Sequence, residues 1–505
     1  ILEEQIGHLY PDATGANGER LTPIAWIWAR TVESPDPTWS GHVPLVKSWI
    51  LRKKKGKPVV WVEPIVDRDT QTIAYEVREG GEPPDGTVSR GNGVCVATGA
   101  AIPGDYIKAE GQAGRMGEHL IAVVAEGTAG RAYCTPLSSD VPAITDSYQG
   151  FLGNLELSGK ASADVVKYGM KTFENLFTHR QMSALVTFST LLPEVMEKIK
   201  SEAISVGLDD DGVRLRDGGS GATAYADALL TYLAFAIDRM ADRNSSICSW
   251  NISRSHVRST FGRQAIPMTW DFAENNPLGN SSGSMKNSLS GISRVLDRLP
   301  AEGDAEVVQR DARVRVGDVT PVVVSCDPPY YDNICYADIS DFFYVWMRRN
   351  LGDVWPDELA TMMTPKAEEL VAHRFRAGSR EDAEEHFESG MSEFMARVTE
   401  VQHPEVPATI FYAYKATEVK DGDVVSIKKP FTIIPMQAQP GKPVQLVLTP
   451  WMPYTDDKNL TIDSSKVITI ATPKPDILKS YEHNISEIIG VQKPGLITET
   501  NLPKL

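Results

Sequence analysis

The stretch VVVSCDPPYYDN (322–333), continuing as ICYADISDFFYVWMRRNL (334–351), decides the fold. Val322–Ser325 is a short apolar run of buried-strand type. It leads through Cys326 into Asp327-Pro328-Pro329-Tyr330, so a rigid cluster of acceptors and an aromatic ring follow a strand's carboxyl end, where open α/β sheets bind ligands. Helical segments are expected next, over about 338–350 and 380–400. In the second, Phe387, Met391, Phe394, Met395 and Val398 share one face. Another apolar strand is expected at 408–414. This strand, helix, helix, strand order suits a doubly wound α/β sheet.

Outward from that core the texture changes. Residues 1–145 read as a β-rich domain, with short apolar runs such as PVVWVEPIV (58–66) and HLIAVVAEG (119–127) punctuated by Gly, Pro and Asp. Its start, ILEEQIGHLYPDA (1–13), reads as helix running into a turn. Lys53, Lys54 and Lys55 fall in a basic hairpin tip, which solvates readily and is also a candidate DNA contact. Residues 146–315 read as mainly helical, with one long helix over 173–199 and another over 222–243. DGGSG (217–221) before the second is better read as a linker than as a phosphate loop, because it lacks the spacing of either known glycine motif. The stretch 316–418 carries the catalytic signal, and 419–505 reads as a small module of short strands with a helix near 475–489.

With 51 Lys+Arg against 67 Asp+Glu, the 505-residue chain has a formal charge of −16. That argues against a uniformly DNA-coating surface but leaves room for a localised basic cleft. No apolar run reaches the ~18 residues of a membrane helix, and a cytoplasmic location with no membrane partner is expected. Five scattered cysteines without a CxxC pair predict reduced thiols rather than a disulfide framework or zinc ribbon. No metal is expected: His8, His42, His119 and His256 each stand alone and are read as structural.

The Asp327–Tyr330 cluster has a specific chemistry. An exocyclic amine is a poor nucleophile because its lone pair is delocalised into the ring. A carboxylate at Asp327 and the carbonyl of Pro328 can each accept one N–H, Pro328 and Pro329 hold those acceptors rigid, and Tyr330 can stack on a base swung out of the duplex. The competing reading is a plain strand-ending turn.

The longer string at 327–351 resembles the catalytic region of the large adenine-specific DNA methylases of phage-defence islands, which carry an uncharacterised N-terminal domain. IGHLYP (6–11), LTPIAWIWARTV (21–32), IPGDYIKAEGQAGRMG (102–117), FGRQAIPMTWDFAENNP (261–277) and TPKAEELVA (364–372) agree with the same family, in order over about 1–418. The resemblance implies an incomplete Rossmann-like methyltransferase core, S-adenosylmethionine as donor, adenine N6 of double-stranded DNA as acceptor, and defence-system partner subunits. Its catalytic residues would be Asp327, Pro328, Pro329 and Tyr330. Tyr336 and Asp338 are candidates to line the cofactor or base pocket. Tyr331 and Asn333 continue the catalytic loop and are candidate DNA contacts, Asn333 being better read as holding the loop by a local bond. Arg263 is a candidate for a target-strand contact or, equally, a structural salt bridge, and Lys53–Lys55 remain the candidate DNA contacts read from the hairpin tip. Lys366 is a candidate phosphate contact, though a single lysine after a proline is more readily just solvated.

The family's Phe-x-Gly-x-Gly cofactor loop would stand upstream of IGHLYP, so the chain is expected to be the later part of such an enzyme. Ser34 and Trp39 stand where some relatives carry cysteines. Residues 419–505 resemble Sm-like proteins of tailed phages, short bent β-barrels, which implies homo-oligomerisation or RNA contact. The alternative function is therefore a non-catalytic nucleic-acid-binding or assembly protein with an Sm-like tail. Methylation of an amide or an RNA base is a third.

Overall fold

The computed structural model describes residues 2–128, 130–144, 148–299, 307–314, 322–326, 335–373 and 378–401, and the strand backbone of 409–410, 416–419, 424–428, 431–436, 445–450 and 459–463. The chain divides into two compact units, residues 1–309 with 334–369, and residues 310–333 with 370–505. Helix and sheet are mixed throughout, as an α/β reading requires.

The first unit is organised by β1 (Pro23–Glu33), eleven residues rich in Ile, Trp and Ala and buried along nearly all its length. Burial on both faces makes it a central strand. Its partners are His42–Leu45, Gly117–Gly127 and Asp271–Asn275, all antiparallel, and Gly130–Cys134 extends the sheet beyond Gly117–Gly127. Successive side chains of a strand point to opposite faces. Trp26 accordingly joins a core with the helices, while Ala25, Ile27 and Ala29 join another with Val60, Val62 and Tyr75 of a second, three-stranded sheet. That second sheet is Ile50–Arg52, Val60–Asp67 and Thr72–Glu79. The pairing of Asp271–Asn275 with β1 joins residues from the β-rich and helical stretches of the sequence in one sheet, so these do not form separate compact units.

The start at Leu2–Ile6 is helical and passes through a 3₁₀ turn at Gly7–Leu9, as its sequence predicts. The single helix expected over 173–199 is instead two, α1 (His179–Thr190) and α2 (Leu192–Ser205). Pro193 is the reason: it lacks an N–H to continue the ladder but fits a first turn. Thr178 caps α1, its hydroxyl accepting the Gln181 N–H at 3.1 Å while the Gln181 side chain accepts the Thr178 N–H at 2.9 Å. The helix expected at 222–243 appears as α3 (Ala222–Ala241), and that expected at 338–350 as α4 (Tyr336–Leu351). Phe342 and Trp346 of α4 are fully buried against Phe177, with ring centroids 5.7 Å apart in both pairs.

In the second unit, Ser325–Cys326 pairs in parallel with Thr409–Ile410. The described strand begins later than the apolar run suggests; Val322 instead donates its N–H to the Val401 carbonyl at 2.8 Å. α5 (Arg380–Val401) buries Ala383, Gly390 and Val398. Further on, Ala416–Val419, Val424–Lys428 and Asn459–Asp463 form an antiparallel sheet, and Phe431–Met436 pairs with Gln445–Pro450. The helix expected near 475–489 lies outside the described residues.

The first unit is tied together by a buried ion pair. Arg180 meets Glu274 twice, Nη2–Oε2 at 2.7 Å and Nε–Oε1 at 3.0 Å, with their side chains 4% and 1% exposed. Replacing Arg180 by Met should strand the Glu274 carboxylate and destabilise this unit by about 3–5 kcal/mol. Chemical denaturation followed by tryptophan fluorescence would measure it, and adding Glu274→Gln should recover part of the loss.

Candidate functional site

Asp327, Pro328, Pro329, Tyr330, Tyr331 and Asn333 lie outside the described residues. What is described is the strand before them, Ser325–Cys326, and the helix after them, α4. Tyr336 is exposed in the first turn of α4, and Asp338 is buried. The Asp338 carboxylate accepts the Lys160 N–H at 2.8 Å, which ties α4 to the short helix Gly159–Ser162. Gly159 has φ +54, and a Cβ there would overlap that carboxylate, so both the conformation and the space require glycine. Asp338 thus has a structural partner.

Asp341 is also buried, and Lys366 reaches it at 2.6 Å. Thr364 donates its hydroxyl to Asp341 at 2.6 Å and its N–H at 2.9 Å. Lys366 is therefore half of an internal ion pair, not a solvated cation waiting for phosphate. Arg263 pairs with Asp164 at 2.8 Å, an exposed contact worth little to stability. Lys53, Lys54 and Lys55 are exposed on the turn between Ile50–Arg52 and Val60–Asp67, the hairpin tip that the sequence predicts. The isolated histidines have ordinary partners: His42 meets the Thr31 hydroxyl and His119 the Tyr75 hydroxyl, each at 2.8 Å, and His256 the Val257 carbonyl at 2.9 Å.

The glycine-rich DGGSG stretch is closed by the protein's own carboxylates. At the N-terminus of α3, Asp210 accepts the Thr223 N–H at 3.0 Å, and Asp211 accepts the Ser220 N–H at 3.3 Å. Lys200 holds Asp210 at 2.9 Å, and hydrogen bonds from Lys200 and Thr223 keep that carboxyl far below its usual pKa. An internal anion already occupies the position a phosphate or ligand carboxylate would take. Among the described residues this loop does not fit the amino-acid moiety of S-adenosylmethionine.

A cleft of about 610 Å³ opens in the first unit, lined by Arg30, Glu118, Phe177, Thr178 and His179 among others. Arg30 and Glu118 face each other across the antiparallel ladder, their Nη1 and Oε1 3.2 Å apart. Arg30 is otherwise spent on the carbonyls of Thr269 and Ser246 and the Ser246 hydroxyl, and its guanidinium lies 4.9 Å from the Phe272 ring centre. Burial lowers the Arg30 pKa, although Glu118 pulls it upward. Glu118 keeps about a third of its side chain in solvent (34% exposed), yet desolvation by the protein around it raises its pKa; Arg30 and His179 pull it down, Glu274 pushes it up, and the net shift is upward. The cleft therefore offers a partly exposed carboxyl, paired with Arg30 and with its pKa raised, beside thioether and aromatic surface. Such a group can donate to or accept from a polar ligand atom. The sequence reading missed Arg30 and Glu118; the visible signal was a lone arginine inside the apolar strand IAWIWARTV.

Residues 417–486 match a family of unknown function (DUF6561). No curated protein matches the chain.

The Glu118 shift has a fixed sign. A carboxyl whose folded pKa is raised stabilises most below its unfolded value, and that stability is lost as pH rises through the folded one. Melting temperature should therefore fall across that window, and Glu118→Gln should flatten the profile.

Proposed function

We propose that the chain carries the amine-orienting part of a site-specific DNA adenine N6-methyltransferase of a restriction or phage-defence type. The observation that carries this reading is the parallel pairing of Ser325–Cys326 with Thr409–Ile410, across a connection that includes α4 and α5. Parallel strands joined through helices are the framework of α/β enzymes, whose ligands sit beyond the strands' carboxyl ends. Asp327–Tyr330 is the sequence that immediately follows Cys326.

In this reading the Asp327 carboxylate and the Pro328 carbonyl accept the two amine hydrogens and draw the nitrogen towards a tetrahedral geometry. Tyr330 stacks on the extruded base, replacing part of the stacking given up by the duplex. S-adenosylmethionine would supply the methyl group. No step is assigned to its binding by the described residues, whose glycine-rich loop before α3 is internally closed.

That closed loop is also what favours a second reading, a non-catalytic nucleic-acid-binding or assembly protein with an oligomerising C-terminal module. Titration calorimetry with S-adenosylmethionine separates the two. The enzyme reading expects saturable binding of ~micromolar affinity, on the order of 8 kcal/mol. It also expects Asp327→Ala to abolish transfer of labelled methyl groups to adenine-containing duplexes while the melting curve stays near wild type. Undiminished transfer by that variant would overturn the role given to Asp327.

A further inference from the structure

Three segments far apart in sequence meet at one end of the first unit. Lys53, Lys54, Lys55 and Lys57 form the tip of the hairpin between Ile50–Arg52 and Val60–Asp67, and all four are exposed. The tip is built as a tight turn: the Lys57 N–H reaches the Lys54 carbonyl at 3.2 Å, with Gly56 at φ +76 in the position that requires it. Lys53 donates its N–H at 3.1 Å to the Ile252 carbonyl, in the short hairpin whose turn carries exposed Arg254. Tyr133 donates to Ser255 of the same hairpin at 3.0 Å, and Arg52 lies 5.7 Å from its ring centre. Two residues before Tyr133 on its strand stands exposed Arg131.

The acids facing this surface are few. Glu79 is engaged with Arg52 at 2.8 Å, and Glu126 is the ladder partner of Arg131. Among the described residues, Lys53, Lys54, Lys55, Lys57, Arg131 and Arg254 form no ion pair. On a chain of charge −16, six exposed side-chain cations drawn from three segments and engaged in no ion pair make a local basic surface that a polyanion can meet.

We propose that this composite face, the Lys53–Lys57 tip with Arg131 and Arg254, binds the phosphodiester backbone of duplex DNA. The choice of DNA among polyanions rests on the function proposed above. The tip contains no aliphatic or aromatic side chain that could insert into a bilayer, which disfavours a membrane. A duplex offers one charge per roughly 1.7 Å of axis, a density that a row of lysines matches without specific geometry.

The test is fluorescence anisotropy of the full chain with a labelled duplex over a series of salt concentrations, comparing wild type with K53A/K54A/K55A/K57A and with R131A/R254A. The substituted side chains are exposed, so both variants should melt as wild type does. For every phosphate that a variant no longer neutralises, the slope of log affinity against log salt should fall by about 0.9. Equal slopes in wild type and both variants would overturn the proposal, even if wild type methylates DNA. Slopes lowered as expected in a chain that transfers no methyl group would keep this surface and remove the enzyme reading. Absence of duplex binding, with binding to phosphatidylserine vesicles that the quadruple variant abolishes, would overturn the DNA assignment in favour of a membrane.

Discussion

The first unit hangs on the side chain of Arg180. Besides its two bonds to Glu274, it donates to the carbonyls of Leu9 at 3.2 Å and Asp140 at 3.3 Å, and its guanidinium lies over Trp26 at 4.2 Å and nearer the edge of reach of Tyr10 at 5.4 Å. Glu274 in turn accepts from the Trp28 indole at 2.8 Å and the Thr178 hydroxyl at 2.9 Å. One buried pair therefore joins the N-terminal turn, the central strand, the loop near residue 140, the cap of α1 and the strand Asp271–Asn275. Burial alone would lower the Arg180 pKa; the Glu274 carboxylate more than offsets it, and the net shift is upward. A pair like this contributes little as a bare ion pair, because desolvation consumes most of the attraction. Its value lies in the alternatives it forbids. Any packing that separates α1 from Asp271–Asn275 leaves two charges in an apolar interior, so the sheet and the helices have to assemble together.

This explains why part of the fold was legible in the sequence and part was not. Period and punctuation are local signals, and they marked the hairpin at Lys53–Lys57 and the helices at Ala222–Ala241 and Tyr336–Leu351. The break at Pro193 was equally local, but a continuous apolar spacing on both sides of it masked the proline's meaning. Strand partnership is different, since nothing in DFAEN (271–275) names its partner more than two hundred residues upstream. The same holds for charges. Lys366 follows a proline in a polar stretch and looks solvated until Asp341, twenty-five residues earlier, is seen buried beneath it. Of the candidate site, the acceptor chemistry of Asp327–Tyr330 could be read from residue types alone, whereas the Arg30–Glu118 cleft exists only through the register of two strands.

An excess of sixteen negative charges would repel a polyanion if it were spread evenly, yet some of the acid is paired with the protein's own cations. Asp210 caps α3 and pairs with Lys200, Asp227 takes Arg214 at 2.8 Å, Asp341 takes Lys366, and Glu274 takes Arg180. Each such pair removes one cation along with one anion, so internal pairing by itself leaves the surface excess unchanged. What matters is where the unpaired cations collect. At ionic strengths near physiological, charges more than about 8 Å apart are largely screened, so a phosphate approaching the Lys53–Lys57 tip responds to its immediate neighbours and hardly to the net total. A chain can therefore be acidic overall and still hold a basic surface, provided that surface is assembled from segments whose nearby acids are few or already engaged. The backbone tie from Lys53 to Ile252 and the packing of Arg52 on Tyr133 bring those segments together.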